Sequence, residues 1–207
     1  MHIKTLEVGY LQTNCYIVSA EGESLCAVVD PGGDSALIMD YLEEHGLRCG
    51  AILLTHGHFD HCGGVEGLLA EMDEEAPVYI CRRDVNVEAD PAGQFFPFRP
   101  TARTVYTDEG DEIRVGSLVF TALACPGHTP GGLSFRVSDS LFTGDSLFKL
   151  SAGRTDFPGG STRALRLTLE RLRDMEGNYD VYPGHMDATT LEYERRFNPF
   201  LQDLSQL

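Results

Sequence analysis

The sequence predicts an α/β protein in which two similar layers pack together. Three observations carry that prediction. Short apolar, partly β-branched runs recur through both halves of the chain. Each half also holds a helix with apolar residues at helical spacing. The strand after that helix ends in histidine both times, at His56 in THGHFDH and at His185 in YPGH.

The first third alternates strands and turns. Residues 15–19 and 25–30 are apolar runs joined by Ala20-Glu21-Gly22-Glu23, a hairpin signal. Asp30-Pro31-Gly32-Gly33 ends the second run. Asp34 or Ser35 is placed to cap a helix carrying Leu37, Ile38, Tyr41 and Leu42, with Gly46 as its stop. Ala51-Ile52-Leu53-Leu54 then reads as a buried strand feeding THGHFDHCGG. Behind that stretch Val65, Leu68, Leu69 and Met72 recur at helical intervals, so Gly63-Gly64 opens a helix that runs to about Asp73. Residues 77–81 read as a short strand and residues 82–90 as a short helix of mixed charge without evident chemistry. Residues 91–100, PAGQFFPFRP, form an irregular, proline-bounded loop. Its Phe95, Phe96 and Phe98 line a substrate mouth, make a dimer contact or simply pack the loop down.

From Arg103 the β pattern resumes, with strands over residues 104–106, 112–115, 118–122 and 133–137. The segment CPGHTPGG places His128 in a loop between two of them. Residues 140–143 give another strand, which ends in Gly144-Asp145-Ser146. Ser161 caps a helix with Leu165, Leu169 and Leu172 on one face, stopped near Gly177. Residues 179–182 form the last predicted strand, followed by the loop Pro183-Gly184-His185.

Composition bounds the function. The chain has 207 residues, 42% hydrophobic and 23% charged, which suits one globular domain spanning residues 1–207. A formal charge of −16 leaves little basic surface for a phosphate backbone, so no nucleic-acid partner is expected. No apolar run approaches the length of a spanning helix, and the start MHIKTLEVGY carries no export signal, so no membrane partner and a cytoplasmic location are expected. The six cysteines lack CxxC pairing and sit mostly in strand-like surroundings, as reduced buried thiols do. Cys62 adjoins His61 and is a metal ligand, a reactive thiol or a small packed residue.

Five of the seven histidines, His56, His58, His61, His128 and His185, lie in loops after strands. With Asp60 and Asp145 they supply seven nitrogen or oxygen ligands, enough for two divalent ions. On this reading His56, His58 and His128 hold the first ion, Asp60, His61 and His185 hold the second, and Asp145 bridges. Zinc is the first expectation, with iron and manganese compatible with the same donors. Two adjacent ions can hold a hydroxide as nucleophile and polarise a carbonyl, with Asp60 and Asp145 as the catalytic carboxylates, so hydrolysis of an acyl bond is the natural outcome. Asp30, at the end of its own strand, is either a carboxylate supporting a ligand histidine or a turn former before Pro31.

THGHFDH, PGHTPGG around His128, TGDSLF around Asp145 and YPGH ending at His185 resemble, in order and across nearly the whole chain, the successive motifs of the metallo-β-lactamase superfamily. The resemblance implies a four-layer αββα sandwich with the metal site at one edge of the two sheets, and the same ligand assignment. SAGRTDFPGGS, LQTNCYIV and ERRFNPF further resemble the short, single-domain glyoxalase II-like (hydroxyacylglutathione hydrolase-like) branch, whose substrates are acyl-glutathione thioesters such as S-lactoylglutathione. The longer members contact glutathione through a lysine and a tyrosine of the corresponding loop. Here Arg154 stands for the lysine and Asp156 for the tyrosine, so Arg154 is a candidate substrate contact or an ion-pair partner of Asp156. Phe148, within TGDSLF, is the other substrate-side candidate. The resemblance therefore implies a binuclear hydrolase of small-molecule acyl thioesters. The alternative is a persulfide dioxygenase, which shares the fold and a GRTDF-like segment but uses one iron held by two histidines and an aspartate. A secreted β-lactamase is disfavoured by the absent export signal and by His61 beside Asp60.

Overall fold

The computed structural model describes residues 1–72 and 76–207. Its first six-stranded sheet runs, in spatial order, β1 (His2–Val8), β2 (Thr13–Ser19), β3 (Leu25–Val29), β4 (Arg48–Leu53), β5 (Val78–Ile80) and β6 (Thr104–Tyr106). Strands β1 to β3 are antiparallel, and β4, β5 and β6 continue from β3 in parallel. Parallel neighbours require crossovers. Helix α1 (Ser35–Glu44) links β3 to β4, and α2 (Phe59–Cys62) with α3 (Val65–Glu71) links β4 to β5.

In the second sheet β7 (Glu112–Val115), β8 (Leu118–Ala124), β9 (Leu133–Val137) and β10 (Ser140–Gly144) form an antiparallel meander. The hairpin β11 (Leu147–Phe148) and β12 (Ser151–Ala152) follows. Helix α4 (Thr162–Asp174) then crosses to β13 (Asp180–Pro183), which is parallel to β10, and β14 (Thr189–Thr190) closes the edge. Two further helices, α5 (Leu191–Phe197) and α6 (Pro199–Gln202), precede a terminal 3₁₀ turn.

Alternation along the strands sets the layers, because successive strand side chains point to opposite faces. Tyr16, Val18, Ala27, Val29, Ala51 and Leu53 of the first sheet meet Phe120, Ala122, Phe135, Val137 and Phe142 of the second in the core between the sheets. The intervening residues Cys15, Ile17, Cys26, Val28 and Ile52 face outward and pack with Ile38 and Leu42 of α1 and Val65 and Leu68 of α3. On the far side Leu141 and Val181 pack with Leu165, Leu169 and Leu172 of α4, Leu191 of α5 and Leu201 of α6. The result is helix, sheet, sheet, helix. Each fully buried aliphatic or aromatic side chain contributes about 1.5–3 kcal/mol before conformational entropy is set against it.

Several local expectations change. Residues 82–90 form no helix beyond a 3₁₀ turn at Arg82–Asp84, because the Asp84 side chain is drawn inward to accept hydrogen bonds from other loops. Asp34 precedes α1 in a left-handed conformation and makes no side-chain cap; its carboxylate accepts from the Gly9 amide, 2.8 Å away. Helix α3 ends at Glu71, and the expected end at Asp73 lies outside the described residues. Strand β1 and helices α5 and α6 add to the predicted elements. Among the described residues no helix is long and apolar enough to cross a membrane.

Candidate metal centre

The seven candidate ligands come from the ends of strands in both sheets. His56 and His58 follow β4, Asp60 and His61 lie on α2, His128 lies between β8 and β9, Asp145 follows β10 and His185 follows β13. The structure brings all seven together. Among the described residues three groups have ligand atoms within 4.8 Å of one another: His56, His58 and His128; Asp60, His61 and His185; and His56, His61 and Asp145. The first two are the groups expected from the sequence, and the third joins them through Asp145.

Asp145 faces both groups. Its Oδ1 lies 3.4 Å from His61 Nε2, and its Oδ2 lies 3.5 Å from His128 Nε2 and 3.7 Å from His185 Nε2. Asp60 Oδ2 lies 3.2 Å from His185 Nε2 and 3.7 Å from His61 Nε2. Close approach of these chains needs glycine at 184, where an added Cβ would stand 2.3 Å from Asp145 Oδ1 and 2.5 Å from His61 Cε1.

Hydrogen bonds behind the rings fix their tautomers. Thr55 donates its hydroxyl proton to Asp30 Oδ2 at 2.6 Å, so its oxygen is free to accept from His56 Nδ1 at 3.1 Å. His61 Nδ1 donates to the same Asp30 oxygen at 2.9 Å, and His128 Nδ1 donates to the Arg154 carbonyl at 2.8 Å. For neutral His56 and His128 the ring proton is therefore committed outward and the Nε2 lone pair turned inward, and His61 offers Nε2 in the same way once its second proton leaves; in His58 it is Nδ1 that faces the centre, 3.0 Å from His128 Nε2. Asp30 also accepts from the Thr55 amide at 2.7 Å, which favours the supporting role over that of a mere turn former.

Such an arrangement costs energy without a cation. Five buried side-chain nitrogen or oxygen atoms among the described residues have no hydrogen-bond partner, and four of them, His56 Nε2, His58 Nε2, His61 Nε2 and Asp145 Oδ1, belong to this centre. An unsatisfied buried polar atom costs about 1–3 kcal/mol, so the convergence of His56, His61 and Asp145, each with such an atom, fits a bound metal ion. Charge agrees. Burial and neighbouring imidazoles hold His56 well below the usual histidine range and pull His58 down to about 3, and burial also lowers His128, so these rings are neutral donors at neutral pH. Burial opposes charge on His61 as well, but the carboxylates of Asp145 and Asp30 outweigh it and raise its pKa. Burial works against ionised Asp145, yet His61, His128 and His185 hold its carboxyl well below the usual range.

Supporting residues that the sequence did not single out complete the centre. Asn14 Nδ2 donates to the carbonyls of Pro183 and Met186 at 3.0 and 2.9 Å, and the Tyr16 hydroxyl donates to Pro183 at 2.5 Å, fixing the His185 loop. Thr13 reaches Asp60 Oδ2 at 3.4 Å. Asp84 is fully buried, and burial pushes its carboxyl up to about 6 against the donors of Thr129, Gly57 and Gly131. Only LQTNCYIV, which contains Thr13, Asn14 and Tyr16, carried a signal for any of these.

Aromatic rings form one wall. Phe96, Phe157 and Phe95 lie 4.7, 5.8 and 6.4 Å from the His58 ring, and Phe148 lies 6.3 Å from His185. In the phenylalanine loop Phe96 and Phe98 are buried and Phe95, 4.8 Å from the Phe157 ring, is half-buried. Arg154 forms a two-pronged ion pair with Asp156, 2.6 and 2.7 Å, and its guanidinium lies 3.9 Å from the Phe157 ring. Cys62 is buried, its thiol held up to about 12 by burial and donating to the Gly57 carbonyl at 3.5 Å; it packs and stands outside all three ligand groups.

Known proteins share this architecture. The family model of the Metallo-beta-lactamase superfamily matches residues 8–185. A probable metallo-hydrolase of Bacillus subtilis, YqgX, is 35% identical over 99% of this chain and 100% of its own length. The hydroxyacylglutathione hydrolase GloC of Haemophilus influenzae is 32% identical over 99% and 100%. Among solved structures, the B3 metallo-beta-lactamase BLEG-1 superposes with a TM-score of 0.84 at 31% identity, covering 97% of this chain and 99% of its own. TTHA1623 in a di-iron-bound form gives 0.80 at 35% identity, covering 96% and 100%. ETHE1 from Myxococcus xanthus gives 0.80 at 27% identity, covering 99% and 91%. The two mixed sheets between helices, the order of the motifs along the chain and these likenesses agree that the chain belongs to the metallo-β-lactamase superfamily.

Proposed function

We propose that the chain is a binuclear metal-dependent hydrolase of small acyl thioesters, glyoxalase II-like, acting on S-lactoylglutathione or a related metabolite. The observation that carries this reading is the Asp145 carboxylate set between two groups of three donors, one of neutral histidines and one containing a second carboxylate. His56, His58 and His128 would hold one ion, Asp60, His61 and His185 the other, with Asp145 shared. The donors suit zinc, and also iron or manganese; the di-iron form of TTHA1623 is a precedent in a similar structure. When bound, two such ions supply a water acidic enough to attack at neutral pH and Lewis acidity toward an acyl carbonyl.

The chain's own groups do the rest. Asp30, Thr55 and the Arg154 carbonyl keep ring protons away from the centre. Phe95 and Phe157 exclude water beside His58, and Phe148 borders His185. Arg154, 3.9 Å from the Phe157 ring and paired with Asp156, lies beside that wall, where an anionic thiol carrier such as glutathione would compete with Asp156 for it. The likeness to GloC supports the thioester substrate, and six free, buried cysteines support a reducing, cytoplasmic setting. The experiment is a panel of acyl-glutathione and acyl-CoA thioesters with metal-loaded protein; protein carrying two ions without metal-dependent turnover on any of them overturns the proposal. The likeness to ETHE1 supports one rival, a mononuclear iron persulfide dioxygenase. Oxygen uptake with glutathione persulfide, together with one iron per chain, would favour it.

A further inference from the structure

We infer that Asp84 is the positioning residue of the first ligand group, a clamp that sets the spacing between the loop carrying His56 and His58 and the loop carrying His128. The inference rests on the ligand grouping proposed above and extends it to a residue that touches no ligand atom. Asp84 lies at the end of the 3₁₀ turn after β5 and is fully buried. Its Oδ2 accepts from the Gly57 amide at 3.1 Å, between His56 and His58, and from the Thr129 hydroxyl at 2.7 Å, immediately after His128. Its Oδ1 accepts from the Gly131 amide at 2.5 Å.

One carboxylate thus ties two segments that arise from different sheets. A backbone bond from Leu133 to Thr55, 2.7 Å, joins the same segments on the strand side of the ligands; Asp84 joins them among the ligands themselves. The approach is close enough to exclude side chains. A Cβ at Gly57 would stand 2.5 Å from the Asp84 carbonyl, and one at Gly131 would stand 2.7 Å from Asp84 Oδ1. All three partners are donors, so the position requires an acceptor at both oxygens. The second group has no such tie to Asp84; His61 is held from behind by Asp30.

The test is zinc titration of the metal-free chain against a chelating competitor, which resolves two binding steps. Asp84→Asn sets an amide N–H against one of the donors and should weaken one step by about 10- to 100-fold, the usual cost of losing a group that orients metal ligands, while the other step stays within about twofold. Thr129→Val removes one of the three donors at nearly constant volume and should weaken the same step several-fold, which keeps the test open if Asp84→Asn fails to fold. Leu172→Ala, in the core beneath α4, controls for stability and should leave both steps in place. Equal weakening of both steps in the clamp variants, or wild-type affinities at both, overturns the clamp. Fewer than two zinc ions on wild type instead overturns the two-ion grouping, and two ions without thioester turnover overturns only the substrate.

Discussion

Asp30 and Asp145 occupy corresponding places in the two sheets. Each follows a strand that lies parallel to the next one reached through a helix, β3 through α1 to β4 and β10 through α4 to β13, and each of those second strands leads to a histidine loop. Their surroundings differ. Asp30 adopts a left-handed backbone, φ 51°, and its two oxygens accept three hydrogen bonds from Thr55 and His61. In the second sheet the left-handed residue is Gly144, φ 49°, one position before the aspartate, and Asp145 keeps an oxygen without a partner among three imidazoles. The same residue type at the same kind of strand end therefore does two things. Where donors satisfy it, it orients a ring; where they do not, it keeps an oxygen of the kind the proposed metal centre requires.

That contrast can be broken at its larger end first. Asp145→Ala should cut thioester turnover by about 10²- to 10³-fold or abolish it, as expected when a group aimed at the reacting centre is lost, and should lower metal content, measured by elemental analysis. Turnover equal to wild type would remove Asp145 from the bridging position. Asp30→Asn should act more gently on metal and more strongly on the fold. Affinity should fall by about 10- to 100-fold, and the metal-free chain should lose about 3 kcal/mol in denaturant unfolding, because the buried His61 pair is broken.

His61 stands between the two aspartates, and pH sharpens the comparison. His58 has its folded pKa depressed to about 3, so between there and the unfolded value near 6.5 the unfolded chain binds the extra proton, and its contribution to stability is lost as pH falls. His61 has its folded pKa raised, so its contribution is present below about 6.5 and lost as pH rises through the raised value. In metal-free protein the stability difference caused by His58→Gln should therefore slope only below about pH 6.5 and that caused by His61→Gln only above it, in opposite directions, by at most about 1.4 kcal/mol per pH unit. Parallel slopes in the two melting series would show that the carboxylates do not divide as described. At the smallest end, His45 stacks on Tyr41 on the surface of α1, 4.0 Å between ring centroids, and His45→Ala should alter neither metal content nor turnover.

Much of this was legible in the sequence. Apolar, partly β-branched runs in β2, β3 and β4 and helical spacing in α1 and α4 pointed to the layers, because these strands are buried on both faces and each helix buries one face. The candidate ligands could be found because each lies where an apolar run stops at a His or Asp. Strand β1 was hidden because it is an edge strand whose residues are mostly exposed, so no alternation marks it. Asp84 was hidden for a different reason. Its neighbours Arg82 and Arg83 make the segment look like a charged surface helix, while its partners at 57, 129 and 131 are distant in sequence and two of them are backbone amides without a side-chain signature. Asp30 was visible only as one of two alternatives, since its bond to His61 spans 31 positions and depends on how β3 and β4 pair.

The most direct measurement is the zinc-to-chain ratio of wild-type protein after saturation and removal of free metal. Two ions per chain is the expected result, one for each donor group with Asp145 between them. One ion per chain would contradict the binuclear centre and leave Asp145 with a single group to serve.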